Sequence, residues 1–271
     1  MPMGRTSRRN CSNAKAPSKR SCSEMTKTEF AALHWAGDPL VLFNVWDAGS
    51  AVAVARAGAR AIATGSHSLA GAQGYDDGEH IPFSRLTETA KQIADAVDLP
   101  ITIDMEAGYA TNLAELAHNA DGLTHAGVIG CNIEDRLIRA GGLRAIDEQA
   151  ERIATVNAEG LFVNARTDVF LSPLMEGKDP NQVELVYAAI ERASAYRSAG
   201  AGSFFIPGLS DPDLIAQVCD KVALPVNVMR MPGMVSNHEL ANLGVARISY
   251  GGAPWRDAMA SVEAAAKEAF A

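Results

Sequence analysis

"ITIDMEAGYA" (residues 101–110) starts as a β-branched run and ends in two acids followed by a glycine. The Ile and Thr side chains favour a strand, and Asp104 and Glu106 stand where that strand runs out. In a parallel sheet both faces are covered, so a polar residue within a strand needs a reason. In a barrel that reason is usually an active site at the C-terminal mouth.

Seven further runs of the same kind occur along the chain: "LVLFNVWD" (40–47), "AIATGS" (61–66), "VIGCNIED" (128–135), "LFVNARTD" (161–168), "GSFFIP" (202–207), "PVNVMR" (225–230) and "RISYG" (247–251). Amphipathic stretches at 50–57, 84–97, 112–125, 145–158, 181–199, 211–221, 236–243 and 254–270 read as helices between and after them. Glycines in "AGA" (57–59), "AGV" (126–128) and "AGAG" (199–202) stop helices just before the next strand. Eight βα units predict a (β/α)8 TIM barrel over residues 25–271, with an open doubly wound sheet as the other arrangement of this alternation.

Composition sets the surroundings of that barrel. The 271 residues, 48% hydrophobic and 21% charged, can bury one large core. No apolar run approaches the roughly 18–20 residues of a membrane span, and the N-terminus lacks the apolar segment of a secretory signal, which predicts a cytoplasmic protein. Cysteines at 11, 22, 131 and 219 have neither zinc-ligand nor paired spacing. Residues 1–23 hold Arg5, Arg8, Arg9, Lys15, Lys19 and Arg20 and no acid, so removing them takes the net charge from -8 to -14. The body is therefore a poor polyanion binder, and residues 1–24 read as a basic, disordered tail. Translation from Met25 and a cleaved transit segment are alternative readings of that tail. No nucleic-acid or membrane partner is expected.

Side chains two apart on a strand share a face, which pairs Asp104 with Glu106, Asn132 with Glu134, and Asn164 with Arg166 and Asp168. For Asn132, Asn164 and Asp168, bonding to one another is as good a reading as contact with a ligand. Asp104, Glu106 and Glu134 are harder to explain that way, because converging carboxylates repel unless a cation stands between them. Oxygen-only donors suit Mg2+ or Mn2+ better than zinc. The fork of Arg166 suits a carboxylate or phosphonate beside such an ion.

In these residues the chain resembles the isocitrate lyase and phosphoenolpyruvate mutase superfamily across about residues 40–255. The signs are "AGARAIATGS" (57–66), "GYDDGE" (74–79), "DMEAGYA" (104–110) where relatives read D-x-D-x-G-Y-G, "NIEDR" (132–136) and "NARTDVF" (164–170). The resemblance implies that Asp104 binds Mg2+ directly, that Glu106, Glu134 and Asp77 hold the metal's waters, and that Arg166 anchors the substrate. It places the backbone of Gly65 and Ser66, with His67 beside them, at the substrate carboxylate. It further implies cleavage next to the carbonyl or carbinol of a small 2-oxo or 2-hydroxy dicarboxylate through an enolate, by lysis, decarboxylation or hydrolysis. Its barrel exchanges the eighth helix between subunits, usually in a homotetramer, so a homo-oligomer, dimer or tetramer, is expected.

Departures narrow the activity. Lyases of the family carry K-(K/R)-C-G-H after "ED" and the mutase carries K-T-N-S, whereas "EDRLIRAGGLRAI" (134–146) has neither the Cys nor the Asn. Phosphonomutase-type P–C chemistry and a non-catalytic 2-oxo acid binding barrel are the alternatives. Tyr75, Tyr109, His67 and Arg139 are the candidate proton donors on mouth loops, with packing or exposure the plainer reading of each. Cys131 shares parity with Ile133 and reads as core. A phosphate site at "MRMPGMVS" (229–236) and "YGGAPW" (250–255) is possible, though Pro and Met there are more simply packing residues.

Overall fold

The computed structural model describes residues 25–271; the basic tail lies outside the described residues. Eight parallel strands, β1 (Leu40–Leu42), β2 (Ile62–Ala63), β3 (Ile101–Asp104), β4 (Gly130–Glu134), β5 (Phe162–Arg166), β6 (Ser203–Phe205), β7 (Val226–Met229) and β8 (Val245–Ser249), follow one another around the sheet. β1 pairs with β8, and an isolated parallel bridge from Val45 to Thr64 joins the β1 end to β2, so the sheet closes into a barrel. The expected architecture is present, and the open-sheet alternative is not.

Among the described residues eleven helices surround the strands: α1 (Lys27–Ala31), α2 (Ala48–Arg56), α3 (Ser66–Ala72), α4 (Phe83–Ala96), α5 (Leu113–His125), α6 (Ile146–Ala158), α7 (Leu171–Met175), α8 (Val183–Ser198), α9 (Pro212–Lys221), α10 (Asn237–Asn242) and α11 (Ala253–Ala269). Several start on side chains that accept from the first free amides: Asp47 caps α2, Asn112 caps α5, and Asp211 caps α9 just before Pro212. The strand expected over 40–47 is cut short because Asp47 turns the chain into α2. The short helices α3 and α7 were not expected; each sits directly after a strand end, where the loop over the mouth folds into a turn or two.

The interior is layered. Phe30, Leu40, Leu42, Ala61, Ala63 and Phe162 form an apolar floor at the N-terminal ends of the strands. α1 closes it from below: Phe30 meets Phe162 edge-on at 5.2 Å, and His34 stacks on the same ring at 4.6 Å. Burial pushes the His34 imidazole down to about 3, so it packs as a neutral ring. Above the floor lies a polar layer of Asn132, Asn164, Ser203, Asn227, Arg247 and Ser249, and above that the charged mouth. Cys131 and Ile133 belong to the apolar layer between strands and helices, as their parity implies.

Candidate active site

Asp104 ends β3 beneath the mouth. Its backbone N–H donates to Thr64 Oγ1 at 3.1 Å, and the Ser66 amide donates weakly to its Oδ2 at 3.4 Å. Oδ1 is buried and has no hydrogen-bond partner. Burial pushes this carboxyl above its ordinary range, with the nearby Arg166 guanidinium pulling the other way and Asp77 adding to the rise.

Glu106 reaches the same region by a route that strand parity misses. The strand has ended, and Glu106 lies in the left-handed region at φ 51°. Glu79 (φ 59°) and Tyr109 (φ 52°) are the other non-glycine residues with positive φ among those described, and all three are bonded to each other. The Glu79 amide donates to Glu106 Oε2 at 2.9 Å, the Tyr109 amide to Glu79 Oε1 at 2.7 Å, and the Tyr109 hydroxyl to Glu106 Oε1 at 2.7 Å. Backbone strain of about 1–3 kcal/mol per residue persists only where surrounding contacts over-determine it, and it clusters at functional sites. Gly108 lies between them at φ 106°, where a Cβ would stand 2.6 Å from Leu116 Cδ1. Arg152 donates from below to the carbonyl oxygens of Ala107 (2.6 Å) and Ala110 (3.2 Å). Burial pushes the Glu106 carboxyl up to about 7, with Asp77 and Asp104 adding to the rise and the Tyr109 bond opposing it.

On the next two strands the acids are paired. Arg166 donates from Nε (2.6 Å) and Nη2 (2.9 Å) to the two oxygens of Asp168, and its Nη1 stands 2.8 Å from Glu134 Oε2 and 3.9 Å from Asp104 Oδ2. Glu134 also accepts from Arg136 Nε at 3.1 Å, and Asp168 Oδ2 lies 3.3 Å from that nitrogen. Burial raises the Glu134 carboxyl, and the two guanidiniums oppose that rise. Arg166 therefore shares the acids of the mouth with a second guanidinium, that of Arg136. Arg136 is the residue that periodicity could not find, since it follows β4 in a loop; its only signal is the "EDR" that continues the acid motif.

The polar layer below accounts for the amides. Asn164 Nδ2 donates to Asn132 Oδ1 at 2.8 Å, Ser203 Oγ to Asn164 Oδ1 at 2.6 Å, and Arg247 Nη2 to Asn132 Oδ1 at 3.2 Å. Asp135, beside Glu134 in sequence, instead accepts from Tyr196 (2.8 Å), Arg192 (3.1 Å) and the Asp168 amide (2.9 Å), tying β4 to α8 and to the β5 loop.

The other expected residues are dispersed around this centre. Gly65 precedes α3 as its cap, with an extended backbone, and Ser66 presents its amide to Asp104. Asp77 is exposed on the loop after α3, within electrostatic reach of Asp104 and Glu106. His67 packs edge-on against Trp255 with ring centres 5.6 Å apart and makes no hydrogen bond to the site acids.

The family described as phosphoenolpyruvate phosphomutase matches residues 30–270. A structure of a provisionally named phosphonomutase from Burkholderia cenocepacia J2315 is 44% identical, with a TM-score of 0.85, over 89% of this chain and 99% of that one. The 2-methylisocitrate lyase of Escherichia coli is 29% identical over 70% of this chain and 64% of its own length. A phosphonopyruvate hydrolase solved with oxalate and Mg2+ shares the fold at 22% identity, with a TM-score of 0.76 over 88% of this chain and 85% of that one. Since that family's model spans nearly all of the described barrel, the chain belongs to the phosphoenolpyruvate phosphomutase family, a family of enzymes.

Proposed function

We propose that this protein is a Mg2+-dependent (or Mn2+-dependent) enzyme that cleaves the bond next to the carbonyl or carbinol of a small 2-oxo or 2-hydroxy dicarboxylate. The observation that carries this reading is Asp104 Oδ1, a buried carboxylate oxygen with no hydrogen-bond partner, on a carboxylate whose other oxygen lies 3.9 Å from the Arg166 guanidinium. A buried acceptor left unbonded costs about 1–3 kcal/mol, and more when charged, so its position favours a ligand that supplies the missing cation. The donor set fits one direct ligand with others acting through water: no three His, Cys, Asp or Glu side chains among the described residues stand close enough to hold an ion by themselves. A divalent cation at Asp104 would supply positive charge to the oxygen on which an enolate develops.

The protein's own residues do the rest. Arg166 has five N–H donors, of which Asp168 and Glu134 engage three, leaving one each on Nη1 and Nη2 for a substrate carboxylate. The Ser66 amide faces the same space. Glu106 and Glu134 are held by Tyr109 and Glu79 on one side and by the two arginines on the other, so both can orient water. Burial raises the Tyr109 hydroxyl, which is committed to Glu106, so it serves to position Glu106 and is a poor proton donor. With no Cys in the loop over 134–146, isocitrate lyase-type proton delivery is missing, which favours decarboxylation or hydrolysis, in which solvent supplies the proton.

Phosphonomutase-type P–C chemistry is the second reading, supported by the 44% identity to the Burkholderia protein. Turnover of a panel of 2-oxo and 2-hydroxy di- and tricarboxylates and phosphonopyruvate, with Mg2+ and with EDTA, decides between them. Metal-dependent release of CO2, oxalate or a 2-oxo acid from a carboxylate supports the first reading. Turnover of phosphonopyruvate alone supports the second, and no turnover above the metal-only rate leaves a binding barrel. We further propose a cytoplasmic homo-oligomer. α11 buries only Pro254 and exposes Met259 and Val262, while Val41, Phe43, Ala53, Val54 and Ala57 line an open apolar groove of about 900 Å3 beside β1.

A further inference from the structure

We infer that Arg136 reads a second anionic group at the far end of the substrate, and so makes the site select dianions over monocarboxylates. This rests on the proposed 2-oxo or 2-hydroxy acid reading of the mouth. Its inner edge is fixed: Nε stands 3.1 Å from Glu134 Oε1 and 3.3 Å from Asp168 Oδ2. Its outer edge is not: Nη1 approaches only Met175 Sδ, at 3.9 Å, and Nη2 has no hydrogen-bond acceptor among the described residues.

The backbone behind it is held. Arg136 bridges Leu143, the Leu137 amide donates to Gly142 O at 2.9 Å, and the Arg144 amide donates to Asp135 O at 2.7 Å. The side chain is 21% exposed against 9% for Arg166, which places the two guanidiniums at successive depths along one wall and sharing Glu134 and Asp168. Two carboxylates already balance these two cations, so the free outer fork of Arg136 is not needed to neutralise the wall. A guanidinium held along one edge and open along the other is a preorganised receptor for a planar anion. A ligand whose near end lies at Asp104, Ser66 and Arg166 has its far end toward Arg136.

The test compares ligands differing only in that far group. Malate and 2-hydroxybutanoate, with oxalate as a control lacking a far end, are titrated by calorimetry into the wild type, Arg136→Gln and Arg136→Lys in the presence of Mg2+. The wild type is expected to prefer malate over 2-hydroxybutanoate by about tenfold or more, and Arg136→Gln to lose that preference with oxalate binding unchanged within about threefold. A wild type that binds oxalate but shows no preference overturns the Arg136 inference alone. A parallel loss of malate and oxalate in Arg136→Gln also overturns it, because Arg136 then acts only through Glu134. If the wild type binds none of the three with either Mg2+ or Mn2+, the parent reading falls and this one with it. Should the Gln variant not fold, Arg136→Lys decides: malate weakened by about threefold or more against unchanged oxalate supports the inference, and equal change in both, or none, overturns it.

Discussion

Asp104 and Arg166 lie 3.9 Å apart at their nearest charged atoms and carry opposite expectations. Asp104 has an unsatisfied oxygen, whereas Arg166 has three of its five donors committed to acids. Arg166→Ala would leave the buried Asp168 and Glu134 with only Arg136 as counter-charge, so it should lower stability by about 3 kcal/mol in urea unfolding besides weakening the substrate. The two roles separate in Arg166→Lys, which keeps the charge but cannot hold Asp168 bidentately. Glu106 makes a pH-dependent prediction. Its carboxyl is raised from 4.5 to about 7, chiefly by burial, so the folded state binds the proton more tightly than the unfolded state. The stability it contributes is present below about 4.5 and is lost as pH rises through about 7. Glu106→Gln should remove that part of the decline, read as the difference in Tm between variant and wild type across this window without metal. In the wild type, Mg2+ affinity should fall as pH drops below 7, because the proton competes. Asp104, Glu134 and Arg166 were legible because a period of two carries side chains to one face. Arg136 and Arg247 were not: a loop has no period, and Arg247's partners His34 and Asn132 lie 213 and 115 residues away in sequence.

At the scale of elements, the loop over 105–110 shows what periodicity cannot see. Parity placed Glu106 beside Asp104 by extending β3, yet the chain turns left-handed there and a hydrogen-bonded triangle with Glu79 and Tyr109 returns the carboxylate to the site. The right neighbourhood was reached through the wrong backbone, because which way the chain turns depends on contacts from α3's loop 30 residues earlier. Gly108→Ala tests the turn: its Cβ would clash with Leu116 at a φ disfavoured for L-residues, so it should cost about 1–3 kcal/mol and weaken metal binding by shifting Glu106. Phe30→Ala tests the floor. Removing a fully buried ring from beneath Phe162 should cost about 3–5 kcal/mol while sparing the metal site above it.

The whole molecule was the most legible level, since eight alternations of strand and helix over this length leave few architectures, and all eight strands fall within the expected stretches or, for β8, begin just before. The resemblance implied a last helix exchanged between subunits, and the structure leaves α11 largely exposed, with an apolar stripe of Trp255, Met259 and Val262, while a separate apolar groove lies beside β1. Val262→Glu or truncation after Gly252 should therefore shift the particle toward monomer in light scattering, while a wild type that is monomeric at micromolar concentration would remove the reason for the stripe. The account as a whole turns on one atom, Asp104 Oδ1. Its most direct test is calorimetric titration of Mg2+, followed by oxalate, into the wild type and Asp104→Asn, a substitution that keeps the shape and removes the charge. The account predicts that oxalate binds the wild type only with metal present and that Asp104→Asn binds neither. Mg2+-dependent oxalate binding of equal strength in Asp104→Asn would contradict it.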